Sequence, residues 1–164
     1  MQKFFIGLLC LPLLIAGGIA LLGLETPQHF HGTLTETIHV SIDKVWAQLN
    51  DINGIPKRRA EIVKIEDQGL NALGLPQWRE ITDLKGHIDF EIIETLPKQK
   101  LVLHMKESSF GVSGSWTYVL QAAGQGTQVT ITEDSDTRKI WLRAIMALSG
   151  RDANLKREFA LLQH

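Results

Sequence analysis

The sequence predicts an α+β fold in which an antiparallel sheet is covered by a long C-terminal helix and preceded by one N-terminal transmembrane helix. Three observations predict it: an unbroken apolar run near the N-terminus, alternating segments joined by short turns, and an apolar stripe at helical spacing near the C-terminus. The chain has 164 residues and a formal net charge of −1. One domain is therefore expected, without the basic surface that a nucleic-acid-binding protein needs.

The apolar run extends from Phe4 to Leu24 and, as a helix, would be roughly 30 Å long, which matches the hydrocarbon core of a bilayer. Residues 1–24 are therefore predicted to be a transmembrane signal anchor. A cleaved signal peptide with its site near Gly18-Ile19-Ala20 is the alternative, although the apolar region of such a peptide is usually shorter. The single cysteine, Cys10, follows two leucines instead of the small residues of a bacterial lipobox, which disfavours lipid attachment.

The charges around this segment predict its orientation. Lys3 precedes the apolar run, and no Lys or Arg follows the run before Lys44. Because basic residues flank the cytoplasmic end of a membrane span, the N-terminus is predicted to be cytoplasmic and the domain to lie on the outer, extracytoplasmic face. A single span with a short linker fits the bacterial inner membrane, with the domain in the periplasm.

Residues 25–32 are predicted to be a juxtamembrane linker and residues 33–164 to be the folded domain. Within the domain, Thr33–Val40 alternates apolar and polar residues, which predicts a half-buried strand. Ser41 is a candidate cap for the helix that follows, and Pro56 interrupts that helix.

An antiparallel meander is predicted next, because extended segments with alternating side chains are separated by short connections rich in turn formers. These segments are Glu61–Glu66, Gln77–Thr82, His87–Leu96, Lys100–Lys106, Gly114–Ala122 and Thr127–Asp134.

The last segment is predicted to be a long helix that covers one face of the sheet. Ser135 or Asp136 caps it in this prediction, and Gly150 is a possible kink. An apolar stripe recurs at intervals of three, four or seven residues: Ile140, Ala144, Leu148, Leu155, Phe159 and Leu162. A second stripe is more than one sheet requires and could contact a ligand, a membrane or a partner: Trp141, Ile145 and Met146.

Several stretches together resemble one protein family. They are SIDKVWAQLNDINGIPKRRAEI (41–62), Trp78-Arg79-Glu80, FEIIETLP (90–97), GSWTY (114–118), GTQVTITE (126–133) and NLKRE (154–158). In this order they resemble the START-like or SRPBCC superfamily, which includes polyketide cyclase/dehydrase and lipid-transport proteins. The resemblance spans about residues 33–162, and the anchor predicted from the N-terminal apolar run would make the chain a membrane-anchored member.

The resemblance implies a helix-grip fold, in which a curved antiparallel sheet wraps around the long C-terminal helix. It also implies an elongated cavity between sheet and helix that in many members accepts a lipid, quinone, polyketide or other apolar molecule. It does not imply one reaction, because members of one fold differ in function.

Six large side chains are candidates to line such a cavity if their strand faces point inward: Trp78, Phe90, Met105, Phe110, Trp116 and Tyr118. Core packing is the alternative for each of them. Glu133 is a seventh ligand-binding candidate, because it ends the inward row of Val129 and Ile131.

Three residues are candidates for acid or base chemistry: Glu133, Glu80 and Tyr118. Both glutamates share strand parity with inward-facing apolar neighbours, although buried paired acids are more often structural than catalytic. No metal site is predicted, because His29 and His31 form a pair without a third ligand. No cofactor is predicted either, because no phosphate loop or dinucleotide fingerprint occurs.

Three functions remain open. The leading one is a membrane-tethered module that binds or transfers a hydrophobic small molecule. The second is an enzyme of the polyketide cyclase or dehydratase kind. The third is a ligand-free interaction module that recruits a membrane protein partner through the second stripe on the C-terminal helix.

Overall fold

The computed structural model describes the backbone of residues 2–163 and the side chains of residues 14–163. In this part of the chain, helices and strands follow one another with short connections. The helices are α1 (Gln2–Glu25), α2 (Ile42–Asn50), α3 (Ile55–Arg58), α4 (Ile140–Ser149) and α5 (Ala153–Leu162), and a 3₁₀ turn covers Ile52–Gly54. The strands are β1 (His29–Ile38), β2 (Ile62–Leu70), β3 (Pro76–Thr82), β4 (His87–Leu96), β5 (Lys100–Ser108), β6 (Val112–Ala123) and β7 (Gly126–Thr137).

The strands form one antiparallel sheet in the order β1-β7-β6-β5-β4-β3-β2. The predicted meander is therefore confirmed, with β1 added beside β7. In β7, residues alternate between buried and half-buried positions along most of the strand. Because side chains of successive strand residues point to opposite faces, this alternation places one apolar face toward the helices.

Strand β1 begins earlier than predicted, at His29 instead of Thr33. His29 pairs with Asp136 and Gly32 with Glu133, so half of the predicted linker belongs to the sheet. The linker between α1 and β1 is therefore only Thr26–Gln28. The extension is stable because backbone hydrogen bonds to β7 satisfy groups that a free linker would leave to water.

The predicted capping of the C-terminal helix by Ser135 or Asp136 is wrong, because β7 continues to Thr137. The long helix is in fact two helices, α4 and α5, separated at Gly150, which has φ +91°. Residues that carry a side chain rarely adopt such a φ, which explains why glycine lies at the break. The kink predicted at Gly150 is thus a complete interruption of the helix.

Helix α5 covers the inner face of the sheet. Its buried apolar residues Leu155, Phe159 and Leu162 join a core that includes Leu101, Tyr118 and Ile131 from the strands. Helix α2 contributes the fully buried Val45 to the same core. The inner face is thus covered by α5 on one side and by α2 with α3 on the other, as in a helix-grip arrangement.

Helix α4 packs mainly against α1 and touches the sheet only at β7. An added Cβ at Gly23 would lie 2.1 Å from the carbonyl oxygen of Ile140, so the two helices touch through a residue without a side chain. The connection after α1 is also held: the Arg143 guanidinium donates to the carbonyl of Thr26, and that of Arg151 donates to the carbonyls of Pro27 and His29.

Of the second stripe, Trp141 and Ile145 are half exposed, whereas Met146 accepts a hydrogen bond from Thr137. The predicted membrane anchor falls largely on residues 1–13, whose side chains lie outside the described part. Within the described residues, no helix combines the length and the apolar character needed to cross a bilayer.

Candidate functional site

A cavity of about 340 Å³ lies between the inner face of the sheet and the helices. Its size is within the range of pockets that bind small molecules. Strands β3 to β6 form its floor, α2 and α3 one wall, and α5 the other. The turn residue Leu84, which is 76% exposed, lies at its opening.

The floor of the cavity is largely aromatic. Trp78 on β3 stacks on Phe90 on β4, with ring centroids 5.6 Å apart, and Trp116 on β6 meets Phe90 edge-on at 6.3 Å. Strand pairing sets this contact, because Trp78 lies opposite Phe90 in the register. Met105, Phe110 and Tyr118 also line the cavity. The structure thus brings together six of the seven predicted ligand-binding residues.

Glu133, the seventh, does not line the cavity. Its carboxylate is buried and accepts hydrogen bonds from the Ser135 hydroxyl at 2.7 Å and from the Asn154 amide at 3.0 Å. Both carboxylate oxygens are therefore engaged, one by a residue of β7 itself and the other by Asn154 of α5. The strand parity was read correctly, but α5 lies over this end of β7 and closes it off. Glu133 therefore lies outside the cavity lining and links β7 to α5 through Asn154.

A polar network crosses the cavity wall between α3, β6 and α5. Arg59 forms an ion pair with Glu158, and the Tyr118 hydroxyl donates to the other oxygen of Glu158 at 3.0 Å. Glu158 is 8% exposed, which is unusual for a charged residue and requires such partners. The network joins the two walls of the cavity to its floor.

The network also determines the protonation states of its members. Burial, and secondarily the charge of Glu158, raise the pKa of Tyr118 well above its ordinary value. Burial lowers the pKa of Arg59, but the charges of Glu158 and Glu80 outweigh burial, so the pKa is raised overall. The Tyr118 hydroxyl is therefore a hydrogen-bond donor to Glu158.

Glu80 is the second predicted acid–base candidate that lines the cavity, beside Tyr118. It is 2% exposed, and one of its carboxylate oxygens accepts a hydrogen bond from the indole N–H of Trp78 at 3.2 Å. Burial raises the pKa of Glu80, while the charge of Arg59 and the bond from Trp78 oppose that rise. A buried carboxyl with a raised pKa keeps its proton to a higher pH than an exposed one, and it can donate that proton to a bound molecule.

The sequence interpretation missed Arg59, Glu158 and Gln48, which also line the cavity. For Glu158 a signal existed: it lies three residues after Leu155 and four before Leu162, on the apolar stripe of α5. A charged residue on such a stripe predicts a buried partner. Arg59 carries no such signal, because it follows a short helix with no periodic pattern.

His29 and His31 lie on the exposed side of β1 beside Asp134, with the Nδ1 atom of His31 3.2 Å from a carboxylate oxygen of Asp134. Across the described residues, no group of three or more His, Cys, Asp or Glu side chains is placed to hold a metal ion.

Replacing Arg59 by Leu should destabilise the fold by about 3 kcal/mol, because it leaves the Glu158 carboxylate buried without its cation. The double variant Arg59→Leu/Glu158→Leu should recover most of that loss. The matched control is Arg79→Leu, which breaks the more exposed pair with Asp89 and should cost much less stability. Urea unfolding measures all three, and equal losses for Arg59→Leu and Arg79→Leu would contradict the role of the network.

Replacing Glu80 by Gln should stabilise the fold at pH 8 and leave it unchanged at pH 4. Because the folded-state pKa of Glu80 lies above the ordinary 4.5, its burial costs nothing extra at low pH and destabilises the folded chain as the pH rises through that pKa. Thermal unfolding between pH 4 and pH 8 measures the difference in Tm. Glu94→Gln, which alters a surface pair with Lys100, is the control and should show no such gain. A gain in Tm that is the same at pH 4 and at pH 8 would contradict the raised pKa of Glu80.

Comparison with known proteins places this geometry among solved structures. No protein-family model matches the sequence, and no curated protein sequence matches it. The Zhui aromatase/cyclase from Streptomyces sp. R1128 superposes with a TM-score of 0.67 at 17% identity, covering 82% of this chain and 92% of that one. A START superfamily protein from Mycobacterium smegmatis gives 0.63 at 11% identity, covering 81% and 94%.

The di-domain aromatase/cyclase StfQ of the steffimycin biosynthetic pathway gives a TM-score of 0.64 at 9% identity. The match covers 83% of this chain and 50% of StfQ. At these identities the likeness establishes the fold alone. The chain therefore has the helix-grip α+β fold of START-like proteins and of polyketide aromatase/cyclases.

Proposed function

We propose that this protein binds a hydrophobic small molecule in the cavity and carries it at a membrane surface. The observation that carries the proposal is the aromatic floor: Trp78, Phe90 and Trp116 face a space of about 340 Å³. A well-packed core closes such a space, because empty volume forfeits contacts between side chains. The sequence keeps large aromatic rings around it instead, which suits an apolar guest.

We further propose that residues 1–24 anchor the chain in the inner membrane of a bacterium, with the N-terminus in the cytoplasm and the domain outside. The apolar sequence from Phe4 to Leu24 and the position of Lys3 support this. Among the residues described, the apolar side chains of Leu14, Ile15 and Leu21 are more than half exposed on α1. Such exposure costs free energy in water and none in lipid.

The opening of the cavity lies at the end of the sheet where β1 begins, which follows the proposed anchor directly in the sequence. Strand β1 begins at this end, directly after α1, and the register places the turns after β3 and β5 at the same end. Leu84 and Phe110 belong to these two turns and line the cavity. A molecule leaving the bilayer would thus meet the cavity without crossing the length of the domain.

The binding proposal is tested by purifying the full-length chain gently from its own membrane, followed by native mass spectrometry and extraction of bound molecules. A stoichiometric apolar molecule is expected. Leu103→Trp, which fills the cavity, should lower occupancy at least tenfold. His104→Trp is the matched control, because the neighbouring side chain lies on the opposite face of β5, and it should retain the molecule. Empty protein, or equal occupancy in both variants, would refute the proposal.

The anchoring proposal is tested by fractionating cells that express the full chain. The protein should stay in the membrane pellet through high-salt and carbonate washes, and external protease should reach the domain only after the outer membrane is opened. Replacing Ile15 and Ile19 by Asp should release the chain, since a charge within the span costs about 3 kcal/mol per residue. The control replaces the surface residues Val63 and Leu70 of β2 by Asp. Recovery of the unaltered chain in the wash would contradict the anchor.

A cyclase-like reaction is the second candidate, and the raised pKa of Glu80 inside the cavity favours it. A protonated Glu80 would act as a general acid toward a carbonyl or hydroxyl oxygen of the bound molecule. The extracted molecule distinguishes the two functions. A carrier returns it unchanged after incubation, whereas an enzyme converts it and loses that conversion in Glu80→Gln.

A further inference from the structure

Helix α4 exposes an apolar face that no other described part of the chain covers. Three side chains of this face are at least half exposed: Trp141 at 50%, Ile145 at 51% and Leu148 at 72%. They lie four and three positions apart, so they follow one side of the helix. The other side faces the body of the protein, where Met146 accepts a hydrogen bond from Thr137. An exposed apolar patch of this kind marks an interaction site.

The position of α4 beside α1 favours a membrane as the partner. Helix α4 contacts the end of α1, because Gly23 lies against the backbone of Ile140. The Arg143 guanidinium also donates to the carbonyl of Thr26 at 3.2 Å. These contacts fix α4 at the last turn of α1. Since residues 1–24 are the proposed anchor, α4 lies at the level where the chain leaves the bilayer.

The charges on and beside α4 favour an anionic lipid surface. Residues 138–151 include four basic residues and no acidic one: Arg138, Lys139, Arg143 and Arg151. Within residues 14–163, no ion pair includes any of these four side chains. Two of them, Arg138 and Lys139, are exposed directly before the first residue of α4. Cations at a helix N-terminus oppose the helix dipole, so helix stability does not explain their position.

An exposed indole lies next to these cations. The Lys139 ammonium is 6.0 Å from the centre of the Trp141 ring. Tryptophan is enriched at the level of the lipid headgroups, and basic residues close to a membrane are attracted to anionic lipids. This end of α4 therefore combines both kinds of side chain that bind the surface of a bilayer.

A protein partner fits this face less well than a bilayer does. A stable protein–protein interface takes about 20 to 30 residues from each side. Helix α4 has ten residues, and only one side of it is exposed. A bilayer requires no matching surface, because an amphipathic helix binds it by burying apolar side chains and by placing its cations near the phosphates.

We propose that α4 is a second membrane contact, which lies along the outer surface of the bilayer and binds anionic phospholipid. Trp141, Ile145 and Leu148 enter the interface, and Arg138 and Lys139 bind the phosphate groups. This inference rests on the proposed anchor and goes beyond it. A single span leaves the domain free to tilt on the membrane, whereas a second contact fixes its orientation.

The contact also orients the opening of the cavity. The Lys139 ammonium donates to the carbonyl of Ser109 at 2.8 Å, and the backbone N–H of Arg138 donates to the carbonyl of Gly111 at 2.9 Å. Phe110, between these two carbonyls, lines the cavity. Docking of α4 therefore turns the opening toward the lipid.

The test measures how fast a cysteine on α4 reacts with an uncharged polyethylene-glycol maleimide that stays in water. The full-length chain carries Cys10→Ser and Ile145→Cys, and it is placed at one copy per disc in nanodiscs of phosphatidylcholine with or without phosphatidylglycerol. Phosphatidylglycerol should slow the labelling at least tenfold. Leu70→Cys is the control, because Leu70 is 65% exposed at the other end of the sheet, and its labelling rate should be equal in both discs.

The double variant Arg138→Gln/Lys139→Gln tests the two charges. Each cation near an anionic surface strengthens binding about fivefold, so this variant should restore nearly the labelling rate seen in pure phosphatidylcholine. Lys44→Gln/Lys98→Gln is the matched control, because both lysines are exposed at the end of the sheet where β1 and β4 end. In that control the slow labelling should persist.

The outcomes separate this inference from the anchor on which it rests. Equal labelling of Ile145→Cys in both discs, with the chain still bound to them in high salt, overturns the lipid contact and leaves the anchor intact. Slow labelling in spheroplast membranes but fast labelling in both discs overturns it in favour of a protein partner. A chain that elutes apart from the discs overturns both the anchor and the contact.

Discussion

The ion pair between Arg59 and Glu158 is the interaction on which the shape of the cavity depends. Arg59 follows α3, Glu158 lies in the middle of α5, and Tyr118 joins them from the sheet. Helix α5 has only ten residues, and four of them are buried: Leu155, Glu158, Phe159 and Leu162. Without a polar connection to the opposite wall, burial of more apolar surface would favour collapse of this short helix onto the rings of the floor. The ion pair holds the two walls apart at a defined distance.

A buried ion pair is an expensive spacer, because both charges lose hydration. An apolar pair of the same volume would pack against the neighbouring side chains and would give the folded chain equal or greater stability. The ion pair instead fixes the orientation of α5 about its axis, because the Glu158 carboxylate accepts hydrogen bonds from both Arg59 and Tyr118. That orientation points Leu155, Phe159 and Leu162 into the core. It also keeps Leu161 at the cavity.

Much of the fold and most of the site were predictable from local patterns. Alternation has a period of two, so strand parity alone assigned Trp78, Phe90, Met105, Trp116 and Tyr118 to the inner face. Parity does not show what lies above a strand, and this is why Glu133 was expected in the cavity although α5 covers it. Arg59 was not predictable, because its role depends on a partner 99 positions away in the sequence.

The start of β1 and the end of β7 both differ from the predicted boundaries, and the reason is the same for both strands. Strand β1 starts at His29 and β7 ends at Thr137 because each extends the other by pairing. Neither extension is strongly apolar, since His29 and His31 face outward opposite Asp134 and Asp136. Polar residues of this kind resemble a linker or a helix cap when each segment is considered alone. Only the long-range pairing identifies them as strand.

The break at Gly150 gives the two C-terminal helices different partners. Helix α5 belongs to the cavity, whereas α4 contacts α1 and exposes Trp141, Ile145 and Leu148. A continuous helix would have coupled any movement of α1 directly to the cavity wall. With a glycine between them, α4 packs on α1 while the Arg59 ion pair joins α5 to the opposite wall of the cavity. The break at Gly150 therefore separates the helix that packs on α1 from the helix that encloses the cavity.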